Sequence, residues 1–416
     1  MIRKTLALLC AFAAAVPASA GNLMLGPVKL DPTYGFQTSY EDNIYRVPRD
    51  INRTAVSGGG VRGSWIFDND LGLKVETPLS ENQKLSLGYD ADFQNYTTQP
   101  SGNNAINQTA GGDYAFKGSK TKVAAYDHYV NTHDPQFNPN GTAINGALVT
   151  REARWENTAG ASSEYYLGDK FFAGVDGSDD VNRYLDRSGG ANSLANLLDS
   201  SVVTFGAKGG YQLAPKTRAF VAVHQVLTHY TEHTRADNHR DTHADFGVEG
   251  DLTAKLKGLV QTGLVYERYG ADPANQNRQT VSRHWSFLTQ LDYKATEKDT
   301  FTLMLNRATL DAETFGSRYY ITTGVNAAYN HKLGEKVTLG VNAAAQQDRY
   351  SENFVVGNNN KIRRDDTYSA GLKADYQVCE WLKTGVSYSN VDRYSTFSRE
   401  FNFRDNITSV NARVAF

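Results

Sequence analysis

Asn406-Ile407-Thr408-Ser409-Val410-Asn411-Ala412-Arg413-Val414-Ala415-Phe416 is the stretch whose reading decides the fold. Successive side chains alternate across an extended strand. Thr408, Val410, Ala412, Val414 and Phe416 then share one face, which is mostly apolar and ends in an aromatic ring. Ile407, Ser409, Asn411, Arg413 and Ala415 share the other. A closing apolar strand is an open edge in a soluble sheet. In a closed barrel it pairs with the first strand and no edge remains.

The same two-residue period runs back through the chain. Tyr34, Phe36, Thr38 and Tyr40 oppose Gln37, Ser39 and Glu41; Leu71, Leu73 and Val75 oppose Lys74 and Glu76. Val337, Leu339, Val341 and Ala343 oppose Thr338 and Asn342, and Tyr319, Ile321 and Val325 oppose Arg318, Tyr320 and Asn326. The second segment, 60–79, is long, and a bulge near Asp68-Asn69-Asp70 is expected to account for its length. Short connections near 80–83, 167–169, 295–298 and 379–381 alternate with longer ones near 44–59, 134–150, 179–200 and 353–364. This rhythm predicts an all-β, antiparallel, up-and-down transmembrane β-barrel of about eighteen strands, with both termini in the periplasm.

The ends of the chain give an address. Arg3 and Lys4, an apolar run to Val16, and Pro17-Ala18-Ser19-Ala20 read as a signal peptide over 1–20. Residues 21–416 then form a single barrel domain. Cys379 would be the one cysteine left, so no internal disulfide is expected. The terminal strand resembles the C-terminal signal of bacterial outer-membrane proteins, carried here by Val410, Ala412, Val414 and Phe416. That resemblance implies recognition by the barrel-assembly machinery and contact with outer-membrane lipid.

Lys and Arg number 43 against 45 Asp and Glu. This balance argues against a nucleic-acid binder. Mean hydropathy is −0.51, which a barrel tolerates because only alternate residues meet lipid. The polar faces are expected to line water with Lys74, Glu76, Asp90, Asp92, Lys208, Asp292, Arg318, Asn326, Asn342, Asp348, Lys373, Asp375 and Arg413. Basic residues of the external loops, Arg46, Arg235, Arg240, Arg363 and Arg364 among them, suit the phosphates of lipopolysaccharide or an anionic polymer. The segment 191–198 has leucine spacing for a short helix, either an inward constriction or an outer lid. His229, His233, His239 and His243 bracket one loop, but no motif supports a metal centre, a cofactor or a catalytic site.

Tyr34-Gly35-Phe36-Gln37-Thr38-Ser39-Tyr40-Glu41-Asp42-Asn43-Ile44-Tyr45-Arg46 resembles the first strand of the family called Putative beta-barrel porin 2. The resemblance implies an outer-membrane exit route for exopolysaccharide, served by periplasmic export proteins. It also implies that Asp42, Asn43 and Arg46 lie at the external end of the first strand. The expected function is a non-enzymatic conduit for exopolysaccharide. The rivals are a general or sugar-uptake porin, and a closed structural or adhesive barrel or loop-active hydrolase.

Overall fold

The computed structural model describes residues 23–48, 61–133, 153–185, 195, 198–231, 238–270, 281–312, 317–356 and 359–415. The signal-peptide expectation and Phe416 lie outside these residues. A short strand β1 (Leu23–Leu25) folds back on β2 (Val28–Glu41). The chain then runs through β3 (Ser64–Ser80), β4 (Gln83–Tyr96), β5 (Ala105–Lys117), β6 (Thr121–Thr132), β7 (Arg154–Leu167) and β8 (Phe171–Tyr184). Next come β9 (Ser200–Ala214), β10 (Thr217–Tyr230), β11 (His239–Asp251), β12 (Leu256–Tyr269), β13 (Val281–Lys294) and β14 (Asp299–Asp311). The last five are β15 (Tyr319–Leu333), β16 (Val337–Val356), β17 (Asn359–Cys379), β18 (Leu382–Ser395) and β19 (Phe403–Ala415).

Each strand pairs antiparallel with the next, and β19 returns to β2 from Ile407–Glu41 to Ala415–Thr33. The result is a closed barrel of eighteen strands, β2 to β19. Closure satisfies the backbone groups that an open sheet would leave facing lipid. Tight turns join β3 to β4, β7 to β8 and β15 to β16, and the start of β2 and the end of β19 lie at this short-turn end. The longer connections gather at the opposite, loop end.

Hydrogen bonds between distant strands show which face is concave. Arg218 on β10 donates to Glu164 on β7 at 2.7 Å, although β8 and β9 lie between them. The Tyr230 hydroxyl on β10 reaches Asp311 on β14 at 2.8 Å. Only an inner wall brings such residues together. The convex face carries the apolar set: Leu264 is 68% exposed, Leu372 58% and Val410 51%. Many of the exposed aromatics on it fall in two bands, with Tyr89, Phe205 and Phe246 between them. Tyr165, Phe171, Tyr293, Phe301 and Tyr376 lie toward the short turns; Trp65, Tyr129, Tyr266, Trp285 and Tyr368 lie toward the loops. An apolar belt flanked by aromatic girdles is the outer surface of a membrane barrel.

Two expectations need correction. The ladders on both sides of β3 run through Asp68, Asn69 and Asp70 without a shift, so no bulge is present there. The strand is long because it runs from girdle residue Trp65 down to Ser80 at the short turn, and its irregularity lies there, between Pro78 and Ser80. Tyr319 was expected among the lipid-facing residues, but its ring lies against Tyr269 and His284 of the inner wall. The cause is local. The β13–β14 ladder ends at Phe287–Arg307, and the upper part of β14 and β15 tucks inward beyond that point.

Candidate functional site

The inner wall is the surface on which chemistry can be placed, and it is built in tiers. At the short-turn end, inward register positions next to the turns carry cations: Lys29, Lys84, Lys117, Lys122, Lys257, Lys294, Lys332 and Lys383. Some are paired. Glu76 holds Lys74 at 2.8 Å and Lys84 at 3.0 Å. Asp375 holds Lys383 at 3.1 Å, and Lys257 lies 3.5 Å from Asp251. Arg218 is clamped by Glu164 at 2.7 Å and Glu249 at 2.5 Å, and Glu249 also takes Lys208 at 2.7 Å. These two cations also cover inward aromatics. The Arg218 guanidinium sits 4.3 Å from the Phe172 ring centre and the Lys208 ammonium 3.9 Å from that of Phe220. Both rings are buried, so they do not offer a stacking surface to a solute.

The middle tier is small and polar, with Gly72, Gly88, Gly111, Ser162, Gly206 and Ser286 at inward positions. Several of these glycines make room for a neighbouring carboxylate. A Cβ on Gly72 would lie 2.4 Å from Asp90 Oδ1, and one on Gly206 would lie 2.5 Å from Asp176 Oδ1. Above the cationic tier the wall turns acidic. Asp70 and Asp92 are direct cross-strand partners, with Asp68 and Asp90 beside them. Like charges placed opposite each other destabilise a sheet, so this patch is a cost carried by the fold. A recess of about 610 Å³ joins Asp68, Asp70 and Asp92 to Asp375, Lys383 and Arg413.

On the side of β10 to β13, histidines join the acids. His224 pairs across the ladder with His243 and lies 3.6 Å from Asp176. His239 lies 3.1 Å from Asp241 and 3.5 Å from Asp311, and His284 lies 3.9 Å from Glu267. His229 faces outward and contacts Asn238, so the expected histidine bracket is split between two faces. His233 lies outside the described residues. Among those described, no group of three His, Cys, Asp or Glu side chains can hold a metal ion.

At the loop end the wall closes over its own buried ion cluster. Arg363, fully buried, donates Nη2 to Asp365 Oδ2 at 2.6 Å and Nε at 3.0 Å. Its guanidinium stacks 3.5 Å from the Phe401 ring centre and 4.6 Å from that of Tyr350. Arg393 and Asp348 are buried in the same group. The β2–β19 seam is fastened beside it. Asp42 Oδ1 accepts the Asn406 backbone N–H at 2.9 Å and Asp42 Oδ2 accepts from Nδ2 at 2.8 Å. Asn43 bonds Val47 and the Arg404 carbonyl, and Arg46 reaches Asp405 at 3.4 Å.

Each expected site residue therefore has a position. Lys74, Glu76, Asp90, Asp92, Lys208, Asp292, Asn326, Asn342, Lys373, Asp375 and Arg413 stand on the concave face. Asp292 accepts from Thr302 at 2.9 Å, and Arg318 lies over Tyr269 at the mouth. Asp348 shares that face but is 3% exposed and bonded by Gln346, so it braces the wall and meets no solute. Arg363 is likewise corrected. Alternation forbids Arg363 and Arg364 from sharing a face, and it is Arg364 that points outward, paired to Asp366 at 3.0 Å. Arg46 turns into the mouth and Arg240 faces outward on β11. Arg235 lies outside the described residues. Val410, Ala412 and Val414 face outward together. The cationic tier was missed, though its signal was present: a lysine at inward parity beside nearly every short turn.

Residues 24–416 match the model of the family described as Putative beta-barrel porin 2. No curated protein matches the chain. Among solved structures, the chain is similar to OccK9 (OpdG) of Pseudomonas aeruginosa, at 12% identity and TM-score 0.49, covering 93% of this chain and 98% of that one. It is similar to OpdK of the same organism, solved with vanillate, at 11% identity and TM-score 0.47, covering 93% and 99%. It is also similar to the FrpB iron transporter of Neisseria meningitidis, at 11% identity and TM-score 0.44, covering 87% of this chain and 62% of that one. The chain thus spans less than two thirds of FrpB.

Proposed function

Because the chain belongs to the Putative beta-barrel porin 2 family and forms an outer-membrane porin-like barrel, we propose that its lumen is a water-filled passage for hydroxyl-rich solutes, an exported polysaccharide foremost. The observation that carries this reading is the middle tier of the wall. On β3 to β5 and β7 to β9 it is lined by glycine, serine and carboxylate oxygens, and the larger apolar side chains Leu288 and Met304 enter it on β13 and β14. Such a wall exchanges hydrogen bonds with a hydrated solute without trapping it. Eighteen tilted strands spaced about 4.8 Å apart enclose roughly 35 Å between opposite backbones, wide enough for a hydrated chain after side chains are added. Among the described residues every extensive contact between strands is between ring neighbours, so none of these strands crosses the interior.

In this reading the short turns and both chain ends face the periplasm, and the loop end meets the outside and lipopolysaccharide. Handover from periplasmic export proteins would take place at the cationic tier. The exposed acids above it favour neutral or weakly charged polymers over strongly anionic ones.

The test has two parts. The mature barrel in a planar bilayer should conduct, and neutral oligosaccharide should reduce its current reversibly. A strain lacking the gene should lose surface polymer. Conductance without any polymer defect would move the substrate to small imported sugars. A barrel that passes no current would overturn the channel itself.

A further inference from the structure

Charge on the inner wall is segregated along the barrel axis. Near the short turns the inward positions are rich in lysine, and Lys117, Lys294 and Lys332 have no carboxylate in ion-pair contact among the described residues. Beyond the middle tier carboxylates reach the lumen at Asp68, Asp70 and Asp92 on β3 and β4 and at Asp180 on β8, while Asp241 on β11 is buried in the wall. Among the described arginines of that half, Arg154, Arg363 and Arg393 are buried inside the wall, Arg46 is paired with Asp405, and Arg318 lies over Tyr269 at the mouth.

Resting on the aqueous-channel reading above, we infer that this barrel is a rectifying conduit, with an anion-collecting short-turn half in series with a cation-collecting loop half. The reason is electrostatic. The Debye length is about 10 Å at 0.1 M salt, comparable with the distance from wall to axis, and about 3 Å at 1 M. At low salt each half is therefore filled mainly by ions opposite to its wall. When the loop-end chamber is positive, anions enter through the lysines and cations through the aspartates, and both accumulate at the junction. The opposite bias draws both away and empties it. Current is larger in the first case.

The consequence reaches beyond simple salts. A solute with a single sign of charge meets one attracting and one repelling half. A neutral or zwitterionic chain is not opposed by either.

The experiment is single-channel recording on the full mature barrel at 0.1 M and 1 M KCl. The currents at equal positive and negative voltage should differ by about two-fold or more at 0.1 M and converge at 1 M, as screening shortens. Lys257→Glu/Lys294→Glu/Lys332→Glu should abolish the asymmetry and make the channel cation-selective in a salt gradient. Asp68→Asn/Asp70→Asn/Asp92→Asn should also abolish it but shift selectivity toward anions. The two sets change opposite ends, and heat-dependent gel mobility reports folding for each. Symmetric current at 0.1 M in a conducting channel would overturn this inference and leave the channel standing. Absence of any current would instead overturn the channel reading.

Discussion

Asp365→Asn should loosen the loop end far more than its single lost charge suggests. Arg363 and Asp365 have side chains only 0% and 1% exposed. The carboxylate takes Nε and Nη2 of Arg363 at 3.0 and 2.6 Å, and Arg393 is buried in the same group. Asparagine keeps the shape and removes the anion, leaving two buried guanidinium groups short of a counter-charge. Breaking a buried pair from one side costs about 3–5 kcal/mol. At about 1.4 kcal/mol per decade, the opening equilibrium of this corner rises by roughly two to four orders of magnitude. Arg399 sits in the helical turn Ser398–Phe401, whose Phe401 packs on Arg363. Trypsin cleavage there reads the opening directly when reclosing is fast. The expected result is cleavage at least about 100-fold faster in Asp365→Asn. Arg363→Met/Asp365→Leu, which removes both charges, should stay within about tenfold of the parent. Parental cleavage in Asp365→Asn, or equal acceleration in both variants, would show that the cluster is solvated and the reasoning wrong.

Other expectations follow from the same wall. Val341→Lys places a charge in the lipid belt and should cost about 2–4 kcal/mol of folding stability in vesicles, whereas Asn342→Lys, one residue on, should cost little. Equal costs would mean that the faces are misassigned. Asp42→Ala removes both carboxylate bonds to Asn406 and should destabilise the β2–β19 seam by about 1.5–3 kcal/mol, seen as faster amide exchange at Asn406. Gly250→Ala should impair refolding severely, since φ is +116° and the new Cβ would meet the Lys216 carbonyl oxygen at 1.9 Å. Gly334→Ala, at φ +68° with nothing within 4 Å, should lose only about 1 kcal/mol by urea titration.

The faces of the strands were legible because a period of two needs only local sequence. Once Val410 and Val414 are set outward, Asn411 and Arg413 must point in, and the closing β19–β2 ladder keeps that parity. What stayed hidden depends on height, which parity does not encode. Asp348 and Asp375 share a face, yet one lies in a sealed ion cluster and the other holds Lys383 near the short turns. Arg363 looked like any loop arginine until Phe401 and Asp365 closed over it. The lysine tier is spread over many hairpins, and only closure of the ring makes these residues neighbours. The expected bulge at Asp68–Asp70 failed for a related reason: the length of β3 reflects how far it descends to Ser80, and its register shift lies down there, between Pro78 and Ser80.

Where the sheet is irregular is itself evidence for where the membrane lies. Register shifts occur between Pro78 and Ser80, Thr217 and Arg218, and Gln377 and Cys379, all at the short turns. One more lies between Arg349 and Asn353, beyond the Ala345–Tyr368 pair that marks the loop-side girdle. The incomplete β13–β14 ladder stops at Phe287, next to girdle residue Trp285, where the Arg307 guanidinium covers the indole at 4.7 Å. Between the two girdles all the other ladders are continuous. An unpaired amide facing hydrocarbon costs several kcal/mol, while one facing water or headgroups costs little. A sandwich in water would have no reason to confine its defects to two levels. Lipid does, and the same constraint makes the interval between Tyr376 and Tyr368 the place where an engineered bulge should be least tolerated.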